Sequence, residues 1–288
     1  MVSHPGYGKV RNVVVTCLVL ASAVALTDAE SAMAAAPTPV LAAADAAWVR
    51  RDEGRAGSRA SSRRISQAVS GYETAAASPD SIEARWKLAR ALFFEGKFTG
   101  LDREAQRAQF ERARDAGEEA VMLLQRRKGS LAADPDAAPT YFWAAVAWGE
   151  WAQVVPRMKA ARAGAATKIR DYAAKVVAID PQFEEGGGYR ILGRLHDRAP
   201  RIPFVTGWVS RAEALRNLRL AVEVAPRNFV NRHFLAEALA AGDRSGREEA
   251  VRIEQEVVAD APSPSHLVED VAVQEEAKRH LLAWTAGS

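Results

Sequence analysis

From about residue 65 to residue 284 the apolar positions recur at helical spacing, and prolines interrupt the pattern. Pro135, Pro181, Pro226 and Pro262 each follow an apolar helical stretch, at intervals of 46, 45 and 36 residues. Such spacing predicts repeated helical units. The last segment, His266 to Trp284, carries Leu267, Val271, Val273, Ala277, Leu281 and Leu282, which predicts a helix that closes the array. Only Val13 to Leu26 is an unbroken apolar run, and it is too short to span a bilayer comfortably.

Close packing of two helices needs small residues where they cross, and the tetratricopeptide pattern has that form: aromatic, leucine and small residue first, small residues next, proline last. In "EEGGGYRILGRLHDRAP", residues 184–200, Tyr189, Leu192, Gly193 and His196 keep the first-helix spacing. The second helix follows in "SRAEALRNLRLAVEVAP", where Ser210 and Glu213 read as a capping box and Ala214, Leu218, Ala221 and Pro226 keep the spacing. Between them "DRAPRIPFVTGW" predicts an insertion loop. Weaker copies start at Trp143, Val146 and Ala147 (closing with Ile169, Ala173, Val176 and Pro181) and at Leu235, Ala236 and Leu239 (closing with Ala250, Val257 and Pro262). Ala68, Tyr72, Ala75 and Pro79 read as a lone second helix, with Trp86, Ala89 and Phe93 on the next first helix. About four units result. Gly186, Gly187 and Gly188 read as punctuation after a helix stop at "DPQFEE", because no strand precedes them and no Lys-Ser/Thr follows, as a phosphate-binding loop requires.

Composition agrees with an all-α chain: alanine, leucine, arginine and glutamate abound in its 288 residues, and β-formers are sparse. Lys9 and Arg11, the apolar run and the small residues Ala32, Met33 and Ala34 predict a signal peptide over 1–36, cleaved after Ala34 or Ala36, and hence export to the periplasm or beyond. The single cysteine, Cys17, would leave with it, and Thr16 before it does not suit lipidation. Residues 37–64 read as an N-terminal helix and flexible linker, with "RAGSRASSRR" at 55–64 the linker, and 65–288 as the repeat domain. The formal net charge of +3 is spread in interleaved charges rather than basic blocks, which argues against nucleic-acid binding.

Three stretches, "YFWAAVAWGEWA" (141–152), "IDPQFEEGGGYRILGRLHDRAP" (179–200) and "LRLAVEVAPRNFVNRHFLAEAL" (218–239), together resemble the T-component proteins of TRAP-type transporters. The resemblance covers roughly the central third of the chain. It implies a periplasmic tetratricopeptide-like helical protein that docks a solute-binding partner, with a tunnel through the stack and a tendency to oligomerise.

The candidate chemistry is recognition rather than catalysis. His196, His233, His266 and His280 are isolated in sequence, and His233 with Glu237 lacks the second histidine of a metal motif. No active site, cofactor or metal is expected. Tyr141, Trp148 and Trp151 form an aromatic stripe that a neighbouring helix or a ligand would cover. Arg190 and Arg194, one helical turn apart, suit a carboxylate or phosphate or a solvated face. Asn228 reads as a helix cap, and Tyr189, Arg190 and Asn231 are the best candidate binding patch. The reading is a non-catalytic, exported scaffold that docks a protein and holds a small solute; the alternative is an envelope interaction module without a ligand.

Overall fold

The structure is a computed structural model that describes residues 38–202 and 206–285. The predicted signal peptide, with Cys17 and both cleavage positions, and part of the predicted insertion loop, Pro203 to Val205, lie outside the described residues.

The described chain is all-α: α1 (Pro39–Val49), α2 (Ser62–Ala76), α3 (Ile82–Phe98), α4 (Arg103–Arg126), α5 (Ala137–Val154), α6 (Arg157–Arg162), α7 (Ala165–Ile179), α8 (Phe183–Arg198), α9 (Arg211–Val224), α10 (Phe229–Ala240), α11 (Arg244–Ala259) and α12 (Leu267–Thr285). Among the described residues no strand forms. Helix starts follow local chemistry. Ser81, Asp102, Asn228 and Asp243 each accept a hydrogen bond from a first-turn N–H through the side chain, satisfying a donor with no intrahelical partner. Ser210 caps α9 in the same way, but its own N–H goes to His196 Nδ1 at 3.2 Å, so the expected reciprocal bond from Glu213 is replaced.

The helices pair as α1/α2, α3/α4, α5/α7, α8/α9 and α10/α11, five hairpins where the sequence pattern suggests four. α2 is not alone: Leu41 and Ala44 of α1 are buried against it. Nor is the 55–64 stretch a separate linker. Ala56 and Arg59 bridge through their backbones, Ala60 donates its N–H to Phe98 O at 2.8 Å, and α2 has begun by Ser62. The short α6 fills the link between α5 and α7.

First helices of successive hairpins touch each other (α3 with α5, α5 with α8, α8 with α10), whereas the second helices touch chiefly the first helices of their own and the next hairpin (α4 with α3 and α5, α7 with α5 and α8). A stack in which one row of helices is closer than the other must curve, with the closer row inside. The curve brings the two ends of the described stack together. α12 covers α10 and α11 through Val273 and Ala277, and it also reaches the α1–α2 turn, where Arg51 pairs with Glu269 at 2.9 Å and Ser58 donates to Glu275 at 2.6 Å. The capping helix thus fastens both ends.

The glycine run sits at a helix boundary, as its reading as punctuation expects: Glu184 (φ 48), Glu185 (φ 57) and Gly186 (φ 79), all left-handed, break the chain after α7, and Gly187 and Gly188 begin the regular part of α8. The next two glycines serve close approach: a Cβ at Gly187 would strike the Phe142 ring, and one at Gly188 would sit 2.8 Å from Val177 Cγ2. Gly193 likewise lets Leu218 of α9 come within 2.5 Å of where a Cβ would stand. Ala214, Leu218 and Ala221 are buried along that seam, Leu192 is half-buried, and Pro226 follows the end of α9.

Candidate functional site

Helix α5 is surrounded by α3, α4, α7 and α8, and its aromatic stripe is covered by protein. Tyr141 and Trp151 are each 1% exposed and Trp148 6%. The rings of Trp148 and Trp151 meet edge-to-face at 5.3 Å, as their one-turn spacing suggests. Their indole N–H groups are spent inside: Trp148 donates to Glu118 at 2.6 Å and Trp151 to Glu111 at 3.4 Å. Glu118 also accepts from Lys168 and from the Tyr172 hydroxyl at 2.8 Å, joining α4, α5 and α7. Burial pushes its carboxyl up, but the three donors outweigh burial and hold it below the usual range. Tyr141 accepts from Lys175 at 3.2 Å. Neighbouring helices, not a ligand, cover this stripe.

Two of the three predicted patch residues do meet. Asn231, wholly buried, donates to Glu185 O at 2.9 Å and Ala221 O at 2.8 Å, and accepts from Arg190 at 2.9 Å. Arg190 also donates to Glu184 O at 3.1 Å. The two side chains therefore hold the carbonyls that the left-handed turn exposes. Their polar groups serve the fold, and burial pushes the Arg190 guanidinium down against the pull of Glu184 and Glu185. Tyr189 is half-buried on the side of α9. Arg194 does not share a ligand-facing position with Arg190: it pairs with Glu237 and lies 4.1 Å over the Phe234 ring.

A cluster that the sequence leaves scattered forms where α10, α11 and α12 meet. His233 is 1% exposed, and its ring stacks on His280 at 5.2 Å with 5° between the planes. The two histidines, isolated in sequence, meet in space. Glu254, fully buried on α11, places one oxygen 2.9 Å from His233 Nδ1 and 3.2 Å from His280 Nδ1. The opposite nitrogens face Glu237, His233 Nε2 at 3.8 Å and His280 Nε2 at 3.9 Å, while Glu276 lies 3.3 Å from His233 Nε2. His233 Nε2 and the second oxygen of Glu254 are buried without a hydrogen bond. Arg194 and Arg198 flank Glu237, Asp197 lies beside them, and Arg279 stands at the rim 3.8 Å from Glu276. Burial alone would push the His233 imidazole down, but the carboxylates of Glu254, Glu276 and Glu237 hold it up at about 9. For Glu237, burial raises the carboxyl and Arg194, His233 and Arg198 bring it below its ordinary value.

A third set of polar groups lines the inner row. Arg90 of α3 lies 4.0 Å over Trp48 and 5.2 Å over Trp86, and Phe93, one turn further on, packs at 5.8 Å on Trp143 of α5. Arg90 Nε and Trp143 Nε1 are buried donors with no acceptor.

Helical spacing can reveal His233 and Glu237, which share a helix. Nothing local links them to Glu254 or His280, and no motif spacing marks Arg90 or Trp143. In the comparisons with protein families and with curated proteins, nothing matches this chain.

Proposed function

We propose that this chain is a non-catalytic, tetratricopeptide-like scaffold of the periplasm that docks a solute-binding partner and holds a small apolar solute bearing a carboxylate between its inner helices. The docking role and the transporter setting rest on the resemblance of residues 141–152, 179–200 and 218–239 to T-component proteins. One observation supports the solute: Arg90 Nε, beside Trp48 and Trp86, and Trp143 Nε1, whose ring packs on Phe93, are buried donors without acceptors on the inner helices α3 and α5. Each such group costs about 1–3 kcal/mol, and an acceptor on the solute, such as a carboxylate, would remove that cost. The rings would cover its apolar part. Burial also pushes the Arg90 guanidinium down, and a bound anion would favour its charged form.

Native mass spectrometry of the chain purified from periplasm, with and without gentle denaturation, tests the reading. The expected result is a small-molecule adduct that denaturation releases and that is lost in Arg90→Met and Trp143→Phe. A wild-type chain that carries no adduct and takes up none from a panel of aryl and alkyl carboxylates refutes the solute. The second reading, an envelope interaction module without a ligand, is favoured by the open groove of about 510 Å³ along α1 and α2, lined mainly by Pro39, Val40, Ala43 and Ala47. Binding of an envelope protein other than a solute-binding protein to the adduct-free chain would support that reading.

A further inference from the structure

We propose that His233, His280 and Glu237 form a binding site for a divalent transition-metal ion of the zinc class. The site goes beyond the docking and solute reading and does not depend on it.

Orientation of the two imidazoles is the first support. A histidine that binds a metal through one ring nitrogen commonly gives the other to a carboxylate, which fixes the tautomer and the ring plane. Here one buried carboxylate, Glu254, takes Nδ1 of both rings, at 2.9 and 3.2 Å. Both Nε2 atoms are thereby turned toward Glu237.

Spacing is the second. Tetrahedral zinc with bonds of about 2.0–2.2 Å sets its ligand atoms roughly 3.3–3.6 Å apart. The carboxylate oxygens lie 3.8, 3.9 and 3.3 Å from the imidazole nitrogens, and one ligand atom from each of His233, Glu237 and His280 lies within 4.8 Å of the others. Direct hydrogen bonds would be about 2.7–3.2 Å. The contacts of the two imidazoles to Glu237 are too long for direct hydrogen bonds and close to what one ion would bridge. Contraction falls mainly to His280, whose side chain is 28% exposed on the last helix.

The third support is the unsatisfied atom. His233 Nε2 is buried, aimed into the cluster, and has no hydrogen-bond partner, a rare condition in a folded interior. Arg194 and Arg198 do not close the site, because each oxygen of Glu237 has two lone pairs and can accept a guanidinium N–H while binding an ion. Two imidazoles with carboxylates select zinc-like ions over magnesium or calcium, which take oxygen ligands.

The test uses the full chain, stripped with a chelator and dialysed, then titrated calorimetrically with zinc chloride in a non-chelating buffer, with magnesium chloride as control. Expected are one zinc per chain, no response to magnesium, and a loss of affinity of about 100-fold or more in His280→Ala. Glu254→Gln, which disturbs the orienting carboxylate alone, is expected to weaken binding about 10- to 100-fold at unchanged stoichiometry. Cobalt substitution supplies a second readout, since an intense visible absorption band marks a four-coordinate site and should vanish in His280→Ala. Should His280→Ala fail to fold by circular dichroism, His280→Gln serves instead. No zinc binding by the wild type, or binding unchanged by the His280 substitution, overturns the proposal.

Discussion

Asn231 is where three helices are held by one side chain, and replacing it with alanine gives a calculable loss. Its amide donates to Glu185 O in the left-handed turn and to Ala221 O near the end of α9, and it accepts from Arg190. A neutral hydrogen bond contributes about 0.5–1.5 kcal/mol net and one to a charged group about 1.5–3. Ala221 O keeps the N–H of Ala225, at 3.1 Å, so that loss is the smallest. Glu185 O and the half-buried Arg190 guanidinium each lose a partner, and the polar amide that held them is itself wholly buried. Together these give about 3–5 kcal/mol, a large part of the 5–15 kcal/mol that holds a typical domain. Urea unfolding followed by circular dichroism should show a lower midpoint at unchanged slope. Hydrogen exchange should quicken in residues 184–190 before the rest of the stack, because Glu184 and Glu185 occupy a conformation that costs non-glycine residues about 1–2 kcal/mol each. A loss below about 1 kcal/mol, or exchange unchanged in that turn, would refute the role assigned to Asn231.

His233 predicts a pH dependence in metal-free buffer: its folded-state pKa of about 9 exceeds the ordinary 6.5. A raised pKa stabilises fully below the unfolded value, so stability should fall as pH rises from about 6.5 through 9, by about 3 kcal/mol at most. Denaturant midpoints across that range should slope downward in the wild type and flatten in His233→Asn; equal slopes would contradict the assignment. Gly187→Ala should destabilise by about 1–3 kcal/mol although alanine is the better helix former, since its Cβ would strike the buried Phe142 ring. Trimming that ring in a Phe142→Leu background should recover part of the loss in thermal melts.

The sequence by itself determined the helices, most of their starts and the pairing of α8 with α9. Those features depend on residues within a turn or two of each other: the capping side chains of Asn228 and Ser210, the small residues Gly193, Ala214 and Ala221, and the proline after each second helix. The tertiary structure alone decided which surfaces those helices hide. Trp148 and Trp151 read as a stripe covered by a neighbouring helix or by a ligand, and only the four helices that close on α5 decide for the helices. Glu184 and Glu185 adopt the left-handed turn because Arg190 and Asn231, the latter 46 residues beyond Glu185, hold its carbonyls. Arg51 finds Glu269 across 218 residues, and Glu254 joins two histidines on different helices, because small angles between successive hairpins add up to a curve that returns on itself. No local pattern encodes that sum.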